Sequence, residues 1–236
     1  VRQLLEARPN LHFAQGTAAS FVIREGRIAG IVTNEGLTIE ARAVVLTAGT
    51  FLRGAIHVGL DPRVPAGRVG EAPSVEISEA IAAHGITRER FKTGTPPRID
   101  GRTVRLGGLT RQDGDVGTYW FSHYGRAVHP AQLPCYLAWA GAEVKEIIQR
   151  HLRESALYGG AISGRGPRYC PSVEDKVVRF PDAVRHQVFL EPEGLETDEL
   201  YVNGLSTSLP AAVQLAFLRA VPGLEVVEMT RPGYAI

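Results

Sequence analysis

The first part of the chain alternates apolar and polar residues in short runs separated by glycine turns. The runs cover residues 21–24, 27–33 and 37–42, and the turns between them contain Gly26 and Gly36. Alternation is typical of strands with one buried face, and tight glycine turns favour antiparallel pairing of neighbouring strands. The pattern therefore predicts a three-stranded β-meander.

The next run, Ala43–Gly49, is almost entirely apolar. A strand without alternation is typical of burial on both faces, as in a parallel sheet. Gly49 then stands at the carboxyl end of this strand, where ligands bind in open α/β sheets. An ordinary strand-to-loop glycine explains the same pattern, so both interpretations stay open on composition alone.

Beyond the meander, helical and strand patterns follow one another along the chain. Helical spacing predicts helices over residues 74–84, 142–155 and 209–221, and shorter apolar runs predict strands over 176–180, 187–190 and 199–202. This mixture predicts an α/β or α+β fold.

Composition narrows the class of protein. Hydrophobic residues make up 44% and charged residues 22% of the 236 residues, which excludes a disordered chain. Lys and Arg number 26 and Asp and Glu 25, so there is no overall basic excess for nucleic-acid binding. Two cysteines exclude a disulfide-dense scaffold, and seven scattered histidines give no metal-ligand spacing, so no metal site is expected.

No apolar run is long enough to span a bilayer and no signal peptide is recognisable, so we expect a soluble cytoplasmic protein without membrane contact. Position 1 is Val, and the last residues carry no terminating pattern. We therefore expect the chain to be an internal fragment of a longer protein.

Cys170 lies in the glycine- and proline-rich loop 164–172. Prolines on both sides restrict the backbone that presents its thiol, and nearby Arg165, Arg168 and Lys176 favour a thiolate. An inert loop cysteine is the alternative. Cys135 has apolar neighbours, which favour a packing role.

Two further polar stretches have more than one interpretation. Glu174 and Asp175 either orient a ribose, pair with Arg168 or form a solvated charged face. Lys92 and Arg98 flank a Thr-Gly-Thr turn that suits either a phosphate or RNA backbone or a domain hinge.

Six motifs, taken in order, closely resemble the MnmG (GidA) family. They are residues 47–52, 92–100, 166–176, 189–195, 203–210 and 231–236. One such motif alone is weak support, whereas six in the family's order are specific. The resemblance runs along the whole chain.

The resemblance implies an FAD- and NADH-dependent tRNA-modifying enzyme. The family adds a carboxymethylaminomethyl group at carbon 5 of the wobble uridine, as a homodimer that works with the GTPase MnmE and uses a folate one-carbon donor. The implied fold is a glutathione-reductase-type FAD-binding fold, a β-meander plus a parallel sheet, with an inserted smaller α/β NAD-binding domain. Residues 1–97 then begin the FAD domain, 98–198 form the insertion, and 199–236 return to the FAD domain.

The resemblance also assigns site residues, with Cys170 as the catalytic residue. The implied FAD contacts are Ala18, Thr47, Ala48, Gly49, Thr50, Phe51 and Ser74. The implied NAD contacts are Gly166, Pro167, Arg168, Tyr169, Cys170, Pro171, Ser172, Val173, Glu174, Asp175, Lys176, Val177, Val178, Arg179 and Phe180. The role of Cys170, as nucleophile or in proton transfer, stays open.

The chain departs from the family pattern because it lacks the glycine-rich pyrophosphate turn and the family's second essential cysteine. We therefore expect the isolated chain to bind FAD weakly and to lack turnover. The alternatives are the paralogous folate-dependent tRNA uridine methyltransferase, which is also a flavoprotein, and a non-catalytic module that binds RNA or a partner protein.

Overall fold

The computed structural model describes residues 2–115, 117, 123–124, 131–163 and 171–236. The α-helices of this part of the chain are α1 (Arg2–Glu6), α2 (Glu76–Ala83), α3 (Ala142–Arg150), α4 (Val173–Arg179) and α5 (Ala211–Arg219). The strands are β1 (Ala18–Arg24), β2 (Arg27–Thr33), β3 (Thr38–Glu40), β4 (Ala55–Ile56), β5 (Val64–Pro65), β6 (Gly94–Thr95), β7 (Arg98–Asp100), β8 (Thr110–Gln112), β9 (Cys135–Ala140), β10 (His186–Pro192), β11 (Glu199–Asn203), β12 (Met229–Arg231) and β13 (Tyr234–Ala235). Helices and strands are mixed, as the sequence predicts.

The chain divides into two compact units. Unit 1 consists of Val1–Ala55 with Pro65–Glu89, and unit 2 consists of Ile56–Val64 with Arg90–Ile236. The domain boundaries expected after residues 97 and 198 stay a prediction. Strands from both sides of position 198 pair with each other in unit 2, where β10 and β11 are neighbours.

Unit 1 contains the predicted β-meander. Strands β1, β2 and β3 pair antiparallel in that order, which confirms the alternating pattern. Gly30 lies opposite Glu40 in the β2–β3 ladder with φ +153°, and a Cβ there would lie 2.2 Å from the carbonyl oxygen of Ile39. Only glycine fits such an approach of two backbones.

The buried strand predicted over residues 43–49 does not form. The backbone of this segment has no strand assignment, Val45 is 84% exposed, and Leu46 is also exposed. A strand persists when its backbone groups pair with a neighbour, and none of the described strands pairs with this run. Apolar composition alone therefore gave the wrong local structure here.

Unit 2 is built on a six-stranded sheet in the order β12-β7-β11-β10-β9-β8. Its ladders are antiparallel, so this sheet is not the parallel sheet that the resemblance implies. Helices α3, α4 and α5 supply the apolar faces that join its core. Fully buried members of this core include Ile99, Ile148, Leu190 and Phe217. The amphipathic pattern predicted for 142–155 is confirmed, because Val144 and Ile148 of α3 are both buried.

The strand predicted over residues 176–180 is wrong, because these residues belong to α4 and its end. An apolar run as short as Val177–Val178 does not distinguish a helix from a strand. Ser172 and Asp175 favour the helix, because together they form a capping box at the start of α4.

Candidate functional site

Four of the sequence motifs meet in unit 2. The backbone N–H of Val173 donates to the carbonyl oxygen of Ser206 at 2.7 Å, which joins the start of α4 to the 203–210 segment. Gly94 of β6 pairs with Ala235 of β13, which joins the 92–100 motif to the 231–236 motif. Segments that are far apart in sequence are therefore neighbours in unit 2.

A small cleft lies where these segments meet, with room for about one water molecule. We call it the hydroxyl cleft. Its lining consists of Lys92, Thr93, Gly94, Ser172, Ser206, Thr207, Ser208 and Ala235. Five of these eight residues carry a hydroxyl group, and the hydroxyls of Ser172, Thr207 and Ser208 bond to Asp175 or Glu174.

Ser172 begins α4 in a reciprocal arrangement with Asp175. Its hydroxyl accepts from the backbone N–H of Asp175 at 3.2 Å, and Asp175 Oδ2 accepts from the backbone N–H of Ser172 at 3.1 Å. The two bonds satisfy donors that every helix leaves unpaired in its first turn. The local sequence thus fixes the backbone on one side of the hydroxyl cleft.

Asp175 also holds two side chains from distant parts of unit 2. Lys92 Nζ lies 3.3 Å from Asp175 Oδ2, and the Tyr158 hydroxyl donates to Asp175 Oδ1 at 3.0 Å. The Lys92 and Asp175 side chains are only 7% and 10% exposed. This is a buried ion pair that is completed by neutral donors, the form in which buried charges are tolerated.

The pair changes the acidity of its neighbours. Burial raises the pKa of Asp175, but the Lys92 ammonium and the bonds from Ser172 and Tyr158 outweigh burial, so the pKa of this carboxyl is lowered overall. Burial and the Asp175 carboxylate raise the pKa of Tyr158 to about 12. Near neutral pH, Asp175 is therefore ionised and Tyr158 is a hydrogen-bond donor.

The lowered pKa of Asp175 predicts a specific loss of stability in acid. Because the folded pKa lies below the unfolded value of about 3.9, the stabilisation is complete above that value and is lost as the pH falls through the folded pKa. Urea unfolding of the chain and of its Asp175→Asn variant between pH 6 and pH 3 measures this. We expect the gap between their midpoints to narrow in acid, and a gap that stays constant over this range contradicts the assignment.

Glu174 is completely buried on the other side of α4. Its Oε1 accepts from the Ser208 backbone N–H at 2.9 Å and from the Thr207 hydroxyl at 3.0 Å. Its Oε2 has no hydrogen-bond partner among the described residues. The solvated charged face considered for Glu174 and Asp175 is therefore wrong, because both carboxylates lie inside unit 2.

The 203–210 segment is fixed by two further contacts. Lys176 Nζ donates to the Gly204 carbonyl oxygen at 2.8 Å, and Gly204 has φ +101°, a conformation that favours glycine. The Gln214 amide, which the sequence did not single out, donates to the carbonyl oxygens of Leu209 and Gly233 at 2.7 and 2.9 Å. No sequence signal marks this role, because the complete burial of Gln214 in α5 is visible only in the structure.

Lys92 and Arg98 both have protein partners. Lys92 pairs with Asp175, while Arg98 Nε donates to Glu193 Oε1 at 2.8 Å and its guanidinium lies 4.5 Å from the centre of the Tyr201 ring. Neither cation is presented in isolation on the surface. The structure therefore gives no support to the interpretation of this turn as a site with two available cations for phosphate.

In unit 1 the structure brings several of the implied FAD residues together. The Thr50 hydroxyl donates to the Gly67 carbonyl oxygen at 2.6 Å, and the Ser74 backbone N–H donates to the Phe51 carbonyl oxygen at 2.8 Å. The Thr47–Phe51 turn and Ser74 are thus neighbours, although they are distant in sequence. Ala18 begins β1 and pairs with Thr33.

The implied catalytic residue, Cys170, lies outside the described residues, together with Gly166, Pro167, Arg168 and Tyr169. The second cysteine, Cys135, is half-buried in β9. Burial, with a smaller effect of the Glu191 carboxylate, raises the pKa of the Cys135 thiol. This supports the packing role expected for Cys135.

The described residues offer neither a metal-binding cluster nor a membrane-spanning helix. No group of three or more His, Cys, Asp or Glu side chains that could hold a metal ion occurs in this part of the chain. None of its helices combines the length and apolar character needed to cross a membrane.

Comparison with known proteins gives consistent matches. The family model described as "Glucose inhibited division protein A" (GIDA) matches residues 1–236. The "tRNA uridine 5-carboxymethylaminomethyl modification enzyme MnmG" of Thermodesulfovibrio yellowstonii and the protein of the same name from Syntrophotalea carbinolica are each 49% identical over all 236 residues. The chain spans 38% of the length of each of these relatives.

Solved structures agree with the sequence matches. Aquifex aeolicus GidA in its form I crystal is 43% identical with a TM-score of 0.84, and the match covers 99% of this chain and 40% of that one. The form II crystal gives 39% identity and a TM-score of 0.82, with 99% and 38% covered. Both the resemblance in sequence and the expected fold class are thereby confirmed, and this chain belongs to the glucose inhibited division protein A (GIDA) family.

Proposed function

We propose that this chain is a segment of a tRNA-modifying flavoenzyme that adds a carboxymethylaminomethyl group at carbon 5 of the wobble uridine. One observation carries the proposal. The chain is 49% identical, along its whole length, to two enzymes named for this modification. This identity favours the proposal over the alternatives of a folate-dependent methyltransferase and a non-catalytic module.

FAD is the cofactor of the proposed enzyme, because the GIDA family is a family of flavoproteins. Unit 1 fits a contribution to its binding. Thr47 and Gly49 are exposed, Gly49 has φ +55°, and a Cβ at Gly49 would meet open space. Thr50 and Phe51 hold the same turn in place through Gly67 and Ser74. When bound, the flavin supplies the redox chemistry of the reaction.

Further participants follow from the proposed activity. They are tRNA as substrate, NADH as reductant, a folate one-carbon donor, the GTPase MnmE and a second copy of the protein, all acting in the cytoplasm. Among the described residues of the predicted NAD segment, 171–180, the exposed ones are Pro171, Val178, Arg179 and Phe180. We place NADH contacts on this surface and on the residues that precede it.

Cys170 is the proposed catalytic residue. It stands two positions before Ser172, which lines the hydroxyl cleft. Carbon 5 of uracil is a poor nucleophile until a thiolate adds at carbon 6, because that addition moves an electron pair onto the enolate and thereby to carbon 5. The same thiol could instead move a proton, and the two roles share the requirement for sulfur at this position.

A chimeric enzyme tests the proposed function. In it, the matching segment of T. yellowstonii MnmG is replaced by this chain, and the gene is expressed in a bacterial strain that lacks MnmG. We expect carboxymethylaminomethyluridine to return in the tRNA, as measured by mass spectrometry of its nucleosides. The unaltered T. yellowstonii enzyme is the positive control. A stable chimera that leaves the uridine unmodified, or that yields only methyluridine, contradicts the proposal.

A further inference from the structure

We propose that Glu174 and Asp175 are positioning residues that hold the two walls of the hydroxyl cleft, and that neither carboxylate binds the ribose of NADH. The proposal rests on the proposed function, because it assigns a role within that reaction. It also gives a different role to two residues of the fifteen-residue segment for which NAD contact is expected.

Consecutive positions on α4 point to different sides of the helix. Neighbouring residues of an α-helix are rotated by about 100° relative to each other. Asp175 accordingly contacts Ser172 and Lys92, whereas Glu174 contacts Thr207 and Ser208. All four of these partners line the hydroxyl cleft, so each carboxylate holds one of its walls.

The burial of both carboxylates argues against direct contact with a ribose. Glu174 is completely buried, and Asp175 is also buried. Asp175 already accepts bonds on both oxygens, from Tyr158 on Oδ1 and from Ser172 and Lys92 on Oδ2. A ribose hydroxyl would have to displace these donors and leave them buried without partners, which costs free energy.

The proposed role predicts an effect on the rate of reaction rather than on the binding of NADH. Groups that are held in the productive geometry lower the barrier, and a displacement of about 1 Å can cost about 100-fold in rate. Loss of the charge on Asp175 removes the ion-pair partner of Lys92 and weakens the bonds from Ser172. Loss of the Tyr158 hydroxyl removes one of the bonds to Asp175 and leaves the ion pair in place.

Steady-state kinetics of the purified chimera, with unmodified tRNA and varied NADH, test the proposal. The variants are Asp175→Asn and Tyr158→Phe, with Tyr136→Phe as a control that removes a tyrosine hydroxyl elsewhere in unit 2. We expect kcat per folded enzyme to fall roughly 10- to 100-fold in Asp175→Asn and severalfold in Tyr158→Phe. The KM for NADH should stay within about twofold, and Tyr136→Phe should match the parent.

The outcomes separate the two proposals. A parent chimera without activity counts against the proposed function alone. An active parent with an unchanged kcat in the folded variants overturns the positioning role, and so does a large rise in the KM for NADH at constant kcat, which indicates a ribose ligand. If Asp175→Asn fails to fold, Tyr158→Phe decides, because it removes a single hydroxyl. A lower thermal midpoint with unchanged kcat shows a purely structural role and also overturns the proposal.

Discussion

Wobble-uridine modification by the chimera is expected to fall at least about 100-fold when Cys170 is replaced by Ser. The substitution changes one atom, so its effect on packing is small. A serine hydroxyl is not ionised near neutral pH, whereas nearby cations favour a cysteine thiolate. Either role considered for the sulfur, addition at carbon 6 or proton transfer, depends on this ionisation. The product is measured by mass spectrometry of tRNA nucleosides.

Cys135 provides the matched control, because the chain contains two cysteines. It lies half-buried in β9, and burial raises the pKa of its thiol, so it is a poor thiolate at neutral pH. Cys135→Ser should retain modification within about twofold of the parent. Full activity in Cys170→Ser removes this sulfur from the mechanism, and equal losses in the two variants show that the effect is not specific to Cys170.

Replacement of Lys92 by Met is expected to destabilise unit 2 by about 3–5 kcal/mol, the cost of leaving one member of a buried ion pair without its partner. Met keeps most of the volume of the lysine stem, so packing changes little. The Asp175 carboxylate then stays buried with only the neutral donors Ser172 and Tyr158. Urea unfolding of the chain, with Trp120 replaced by Phe so that the fluorescence comes from Trp139 in β9, measures the change.

A double variant separates the charge effect from packing. Adding Asp175→Asn to Lys92→Met removes the uncompensated charge, so part of the lost stability should return. The double variant should therefore be more stable than Lys92→Met. If the stability losses of the single variants Lys92→Met and Asp175→Asn simply add in the double variant, the two residues are not energetically coupled. The buried pair then does not hold the cleft as described.

Local patterns predicted the elements that depend on nearby residues. The β-meander followed from alternation with glycine turns, and α3 followed from its apolar stripe, which places Val144 and Ile148 in the core. In both cases, the residues that decide the structure lie within a few positions of one another.

The predictions of local structure that were wrong concern segments whose conformation depends on residues outside the segment. An apolar run such as 43–49 becomes a strand only when another strand pairs with it, and no described strand does so. The predicted strand at 176–180 is a helix because Ser172 and Asp175 cap it, a signal that outweighs the β propensity of two valines.

The motifs of the site could be found in the sequence, but their arrangement could not. Glu174 and Asp175 stand in a charged run that suits a solvated surface equally well. Their burial depends on Thr207, Ser208 and Lys92, which are 33, 34 and 83 positions away from the carboxylates that they contact. Only the tertiary structure brings such partners together.

The central claim is that the Cys170 sulfur acts on the uridine of a bound tRNA. Competitive alkylation tests it directly: the parent chimera is treated with a limiting thiol reagent, with and without unmodified tRNA, and the labelling of each cysteine is followed by peptide mass spectrometry. We expect Cys170 to react faster than Cys135 without tRNA, and bound tRNA to slow the labelling of Cys170 at least severalfold while leaving that of Cys135 unchanged. Labelling of Cys170 at the same rate with saturating tRNA as without it would contradict the claim.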